Sequence, residues 1–206
     1  MTIAVTGPLA CGKSTFVRML GEMGADTVSA DGIVHDLLAR DPETISKVVE
    51  RFGEDVRGET GIDRRTLARA VFGDERALQD LEDILHPLVR EETDRRVAAS
   101  EADLFVAEIP LLFEGGRSGQ FDHTLAVTAP EERRLVWAAE RGMGEEQVRA
   151  IEARQLPQEE KALRADLVVQ NDGDLDTLSG RAREVFEMAT RKVGGPGDDK
   201  GGGETG

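Results

Sequence analysis

Residues 7–14 read Gly7-Pro8-Leu9-Ala10-Cys11-Gly12-Lys13-Ser14, with Thr15 directly after them. The stretch fits G-x-x-x-x-G-K-[ST] at every fixed position, and each fixed residue has a mechanical reason. Gly7 and Gly12 permit backbone angles that a Cβ forbids. The N–H groups of Ala10, Cys11, Gly12, Lys13, Ser14 and Thr15 can then converge on phosphate oxygens, backed by a helix N-terminus. Lys13 reaches the outer phosphates, and the Ser14 hydroxyl is placed to ligate Mg²⁺. A random chain of this length shows the pattern about 1% of the time. Pro8 has no N–H, but it stands early in the loop, where fewer amides point at phosphate. Cys11 is the chain's one thiol. A helix N-terminus can acidify a cysteine, yet the plainer expectation is a small residue that fits the turn.

The context is equally specific. Residues 2–6 (TIAVT) form a short apolar run entering the loop, and Phe16, Val17, Met19, Leu20 and Met23 recur at helical spacing after it, up to Gly24. Further strands are expected at 26–29, 104–109, 122–127 and 166–169, and helices at 31–39, 131–165 and 175–191. Residues 42–100 read as helix throughout, with a kink or break at Pro87. That is too much for one crossover, so part of it is expected to form a helical module at the sheet's edge. The alternation of strands and helices after a glycine-rich first turn predicts an α/β three-layer fold with a five-stranded parallel sheet. One domain is expected over 1–193: a core of about 1–31, 101–132 and 165–193, a helical acceptor-binding region of about 32–100, and a helical lid of about 133–164. The glycine-rich stretch 194–206 reads as a disordered tail.

Composition limits the partners. The 206 residues carry 26 basic and 41 acidic side chains, a net charge of −15. This argues against a protein that coats nucleic acid or docks on an anionic membrane. An anionic ligand then needs a local pocket of amides and basic groups. One cysteine and three scattered histidines offer no disulfide framework or zinc site. No membrane-length apolar run and no signal-peptide pattern is visible, so a cytoplasmic monomer is expected.

Three residues outside the loop carry candidate chemistry. Asp31 follows the second strand, at the end of the sheet where ligands bind. A carboxylate there can take the proton of an attacking hydroxyl, or simply cap the next helix. Glu108 closes the third strand, where phosphate-loop proteins often hold a carboxylate near Mg²⁺; a turn role is the alternative. His86 stands before Pro87 in an apolar helical stretch. Arg133, Arg134, Arg141, Arg149 and Arg154 fall in the 133–161 segment, and one or two of them should point inward to neutralise transferring phosphate.

In these residues the chain resembles the dephospho-coenzyme A kinases, of the P-loop kinase superfamily. The resemblance covers about residues 1–185. It rests on VTGPLACGKST at 5–15, SADGIVHDLL at 29–38, IDRRTLARAVF at 62–72, LEDILHPLVREE at 81–92, EIPLLFE at 108–114 and RQLPQEEKALRADLVVQNDG at 154–173. It implies ATP-dependent phosphorylation of the ribose 3′-hydroxyl of dephospho-coenzyme A, with Mg²⁺ and no nucleic acid. It implies that Asp31 is the base, that Arg141 is a lid arginine acting with Lys13 on the transferring phosphate, and that Arg65 and His86 lie by the acceptor. It places Asn171 next to the adenine of ATP. Ser29, Trp137 and Ile151 stand where the family often has an acid and two lid arginines. A nucleoside or nucleotide kinase of the same fold, and a nucleotide-binding relative with weakened turnover, are the alternative readings.

Overall fold

The computed structural model describes residues 1–191. Five strands run β1 Thr2–Thr6, β2 Asp26–Ser29, β3 Phe105–Glu108, β4 His123–Thr128 and β5 Leu167–Gln170. The helices are α1 Lys13–Glu22, α2 Ala30–Arg40, α3 Pro42–Phe52, α4 Arg64–Val71, α5 Glu75–Ala99, α6 Glu131–Glu140, α7 Glu145–Glu152, α8 Gln158–Arg164 and α9 Leu175–Thr190. The tail expected at 194–206 lies outside the described residues.

All strands are parallel, in the order β2-β3-β1-β4-β5. Their register positions the site. Val5 and Ser29 both lie level with Glu108. The loop after β1, the end of β3 and the start of α2 therefore share one edge of the sheet, its carboxyl end, where ligands of open α/β sheets bind.

Side chains alternate across the sheet, so each strand feeds two cores. Ile3, Val5, Val106, Leu125 and Val127 pack with Phe16 and Leu20 of α1 and Leu178, Ala182 and Val185 of α9. Ala4, Phe105 and Ala107 face the other way, against Ile33 of α2, Val89 of α5 and Leu112. A third cluster joins Leu38, Val48, Val49, Leu67 and Leu85 within the helical region. A fourth sets Leu9 and Ala10 of the loop against Leu135 and Ala138 of α6 and Val148 of α7.

Local signals explain most helix starts. Asp41, Asp63, Asp74 and Asp174 each accept a backbone N–H of the following turn and cap α3, α4, α5 and α9. The expected break at Pro87 does not occur: α5 continues through it. Leu85 on one side is buried in the helical cluster and Val89 on the other against the sheet. Burying two such side chains contributes about 3–6 kcal/mol, enough to offset the roughly 3 kcal/mol cost of an interior proline. The stretch between α3 and α4 is not helix throughout either. It turns through Gly58–Gly61 and pairs Arg57 with Ile62 in a single bridge.

Phe16 is fully buried between α1, β1 and α9. Phe16→Ala is expected to destabilise the protein by about 3–5 kcal/mol, measured by denaturant unfolding.

Candidate active site

The phosphate loop takes its shape from three constraints. Gly12 has φ 95° and Ala10 φ 57°. A Cβ on Gly12 would stand 2.3 Å from Asn171 Nδ2, and one on Gly7 2.2 Å from the Val127 carbonyl oxygen. Glycine at both positions is therefore a packing requirement as well as a conformational one. Asn171, at the end of β5, is buried and donates its side-chain amide to the Cys11 carbonyl at 3.0 Å. Its backbone N–H is held by the Thr128 carbonyl at 2.6 Å. The side chain expected beside adenine is thus engaged with the loop itself.

Lys13 is folded over the loop. Its Nζ donates to the carbonyls of Gly7 at 3.0 Å and Pro8 at 2.7 Å, and only 8% of the residue is exposed. Pro8, with no N–H to give, contributes its carbonyl instead. Cys11 is fully buried, and burial pushes its thiol up against the opposing pull of Lys13. The acidified, reactive alternative does not hold here; Cys11 is a small residue that fits the turn.

Ser14 opens α1 and donates its hydroxyl to Glu108 Oε1 at 2.8 Å. Burial raises the Glu108 carboxyl above its ordinary value; the Ser14 hydrogen bond and the charge of Lys13 work against that, Asp31 adds to it, and Arg141 opposes it. Glu108 therefore feels the fields of Lys13, Asp31 and Arg141 at one place. Asp31 itself does not cap α2. Ser29 does, accepting the Gly32 N–H, which leaves the Asp31 carboxylate exposed in the helix's first turn.

The other arginines of α6–α8 are turned elsewhere. Arg134 is buried and pairs with Glu152, while its Nε lacks a partner. Arg149 pairs with Glu145, and Arg154 reaches Glu82 of α5 at 3.3 Å. Arg133 lies over the Trp137 ring, 6.0 Å from its centre, and donates to the Gly173 carbonyl. Arg141, just past α6, is exposed and forms no ion pair among the described residues. Arg65 on α4 and His86 on α5 are both exposed, in the helical region rather than at the loop.

One buried cation was not legible in the sequence. Lys161 is 0% exposed, while Leu163 on the same short helix is 86% exposed. That inverts the usual pattern, and in QEEKALR a lysine reads as a solvated partner of its glutamates.

The Ser14–Glu108 pair fits a divalent cation, since a buried carboxylate is stabilised by a positive ion beside it. No group of three or more His, Cys, Asp or Glu side chains clusters for a metal among the described residues. An ion here would take its remaining ligands from phosphate and water.

A raised carboxyl gives a signed pH dependence. Below the ordinary glutamate value of 4.5, Glu108 is protonated folded and unfolded alike. As pH rises from that value towards the higher folded one, the unfolded chain ionises while the native carboxyl keeps its proton, so stability falls across that window and levels off above it. Glu108→Gln is therefore expected to melt higher than the parent at neutral pH without nucleotide, the gap closing as pH approaches that ordinary value. Melting curves across pH check it.

Comparison with known proteins agrees with this geometry. A family model described as dephospho-CoA kinase matches residues 1–177. The dephospho-CoA kinase of Protochlamydia amoebophila is 39% identical over 191 residues, covering 90% of this chain and 94% of that one. The crystal structure of TT1252 from Thermus thermophilus superimposes with TM-score 0.77 and 37% identity, covering 91% of this chain and 97% of that one. Dephospho-CoA kinase from Campylobacter jejuni does so with TM-score 0.63 and 25% identity, over 91% and 96%. On the strength of a model that spans nearly all the described residues and of near full-length relatives, the chain belongs to the dephospho-CoA kinase family.

Proposed function

We propose that this kinase binds ATP with Mg²⁺ on the 7–15 loop and transfers the γ-phosphate to the 3′-hydroxyl of dephospho-coenzyme A, giving coenzyme A and ADP. The observation that carries the assignment of roles is the convergence on Glu108: Ser14 by a hydrogen bond, Lys13, Asp31 and Arg141 by charge. Lys13, the Ser14–Glu108 pair and the exposed Asp31 carboxylate then stand along the one carboxyl edge of the sheet.

In this reading the loop amides and Lys13 bind the phosphates, Lys13 exchanging its two loop carbonyls for phosphate oxygen. Ser14 and Glu108 hold Mg²⁺, which when bound neutralises phosphate charge. Asp31 accepts the proton of the attacking hydroxyl. Arg141, with no ion pair among the described residues, swings onto the charge that develops during transfer. Residues 32–100 form the acceptor-binding region, with Arg65 and His86 on it, and residues 133–164 form the lid that excludes water. Asn171 acts on ATP through the shape it gives the loop. The acidic chain works in the cytoplasm as a monomer on these small molecules, with no nucleic acid partner.

The test is mass-spectrometric product analysis with Mg·ATP and either dephospho-coenzyme A or nucleoside monophosphates. Coenzyme A formed in the first mixture alone is expected. A phosphorylated monophosphate instead would move the acceptor site to another nucleotide. ATP binding without product in either mixture would leave a nucleotide-binding protein. Asp31→Asn is expected to cut kcat by about 10²-fold or more with ATP affinity nearly intact. Lys13→Ala is expected to weaken ATP binding and turnover together. Titration calorimetry and steady-state rates separate the two.

A further inference from the structure

The segment after β3 is held at both ends. At its start, Glu108 accepts the Ser14 hydroxyl at 2.8 Å and the Ile109 N–H bonds the Val5 carbonyl at 2.8 Å. Two residues on, the Pro110 carbonyl accepts two donors: the Thr6 hydroxyl at 3.0 Å, one residue before the loop begins, and Lys161 Nζ at 2.7 Å. At its far end, Glu114 Oε1 accepts Lys161 Nζ at 3.0 Å and the Leu156 N–H at 2.8 Å. Leu156 lies between α7 and α8, in the C-terminal part of the 133–164 segment. Gln158 anchors the same junction by accepting the Ala129 N–H at 2.9 Å.

Among the described residues, Lys161 is thus the one side chain that grips both Pro110 and Glu114. A fully buried ammonium needs a strong reason to stay, because leaving water costs several kcal/mol. Burial does pull its proton affinity down, Glu114 holds it up, and the positive charge of Lys13 works against it. Lys161 therefore stands within the field of the phosphate lysine, and a polyanion beside Lys13 relieves both cations.

We propose that Lys161 is a positioning residue for phosphoryl transfer: by clamping Pro110 and Glu114 it fixes the root of the lid and the Ser14–Glu108 pair in one register. This rests on the kinase reading of the site. Bonds to ATP are not required of Lys161; it acts through the 108–114 segment, and truncating such a support in other sites costs about 10- to 100-fold.

Three variants test it: Lys161→Met, which leaves Glu114 uncompensated, Lys161→Met with Glu114→Gln, which removes the leftover charge, and Glu114→Gln alone. Steady-state kcat and KM, melting temperature and the ATP-induced change in fluorescence of Trp137, the only tryptophan, are read on each. The double variant is expected to recover most of the melting temperature and to keep its fluorescence response to ATP, while kcat stays down about tenfold or more. Recovery of kcat together with the melting temperature would make Lys161 merely structural and overturn the proposal. If neither Lys161 variant folds, Glu114→Gln decides: a kcat loss of about threefold or more at unchanged melting temperature is expected, and an unchanged kcat overturns it. The parent chain is the control in every assay. A parent that makes no coenzyme A overturns the kinase reading, whereas an active parent with an active double variant overturns only the role of Lys161.

Discussion

Three parallel strands end at one level, and the site depends on that register. With Val5 and Ser29 both opposite Glu108, the phosphate loop, the Glu108 carboxylate and the first turn of α2 have no choice but to meet. A slip of a single residue in β3 would turn Glu108 to the other face of the sheet and leave Ser14 without its acceptor. The apolar alternation of β1 and β3 enforces the register, since Val5 and Val106 fill the α1–α9 side and Ala4 and Ala107 the other. The chemistry at the edge is fixed by packing several residues away from it.

Much of this was legible because it is local. The loop is a spacing, the helix after it a period, and the strand boundaries agree with the apolar runs to within about a residue. What misled was local reasoning applied where tertiary burial decides. Proline at 87 reads as a kink or break, and the break does not occur because Leu85 and Val89 are claimed by two different cores and the helix goes on between them. Ser29 stands where the family often has an acid, and its hydroxyl caps α2, which leaves Asp31 exposed for other work.

The remainder of the site was hidden because its partners are far apart in the chain. Lys161 and Glu114, Arg134 and Glu152, Asn171 and Cys11 are each joined across 18 to 160 residues. None has a periodic signature. A lysine among glutamates looks solvated until the fold turns it inward, and an arginine in a lid looks ready for phosphate until a nearby glutamate takes it.

The Lys13 ammonium is satisfied by the carbonyls of Gly7 and Pro8, two neutral acceptors that the loop itself supplies. A ligand gains from Lys13 only by what it offers beyond those two bonds. A nucleoside or a monophosphate whose charge does not reach that far leaves them intact and gains nothing, whereas a triphosphate brings formal charge that neutral carbonyls lack. Those two backbone bonds are therefore a threshold, set by the loop itself, that any anion drawing on Lys13 has to exceed.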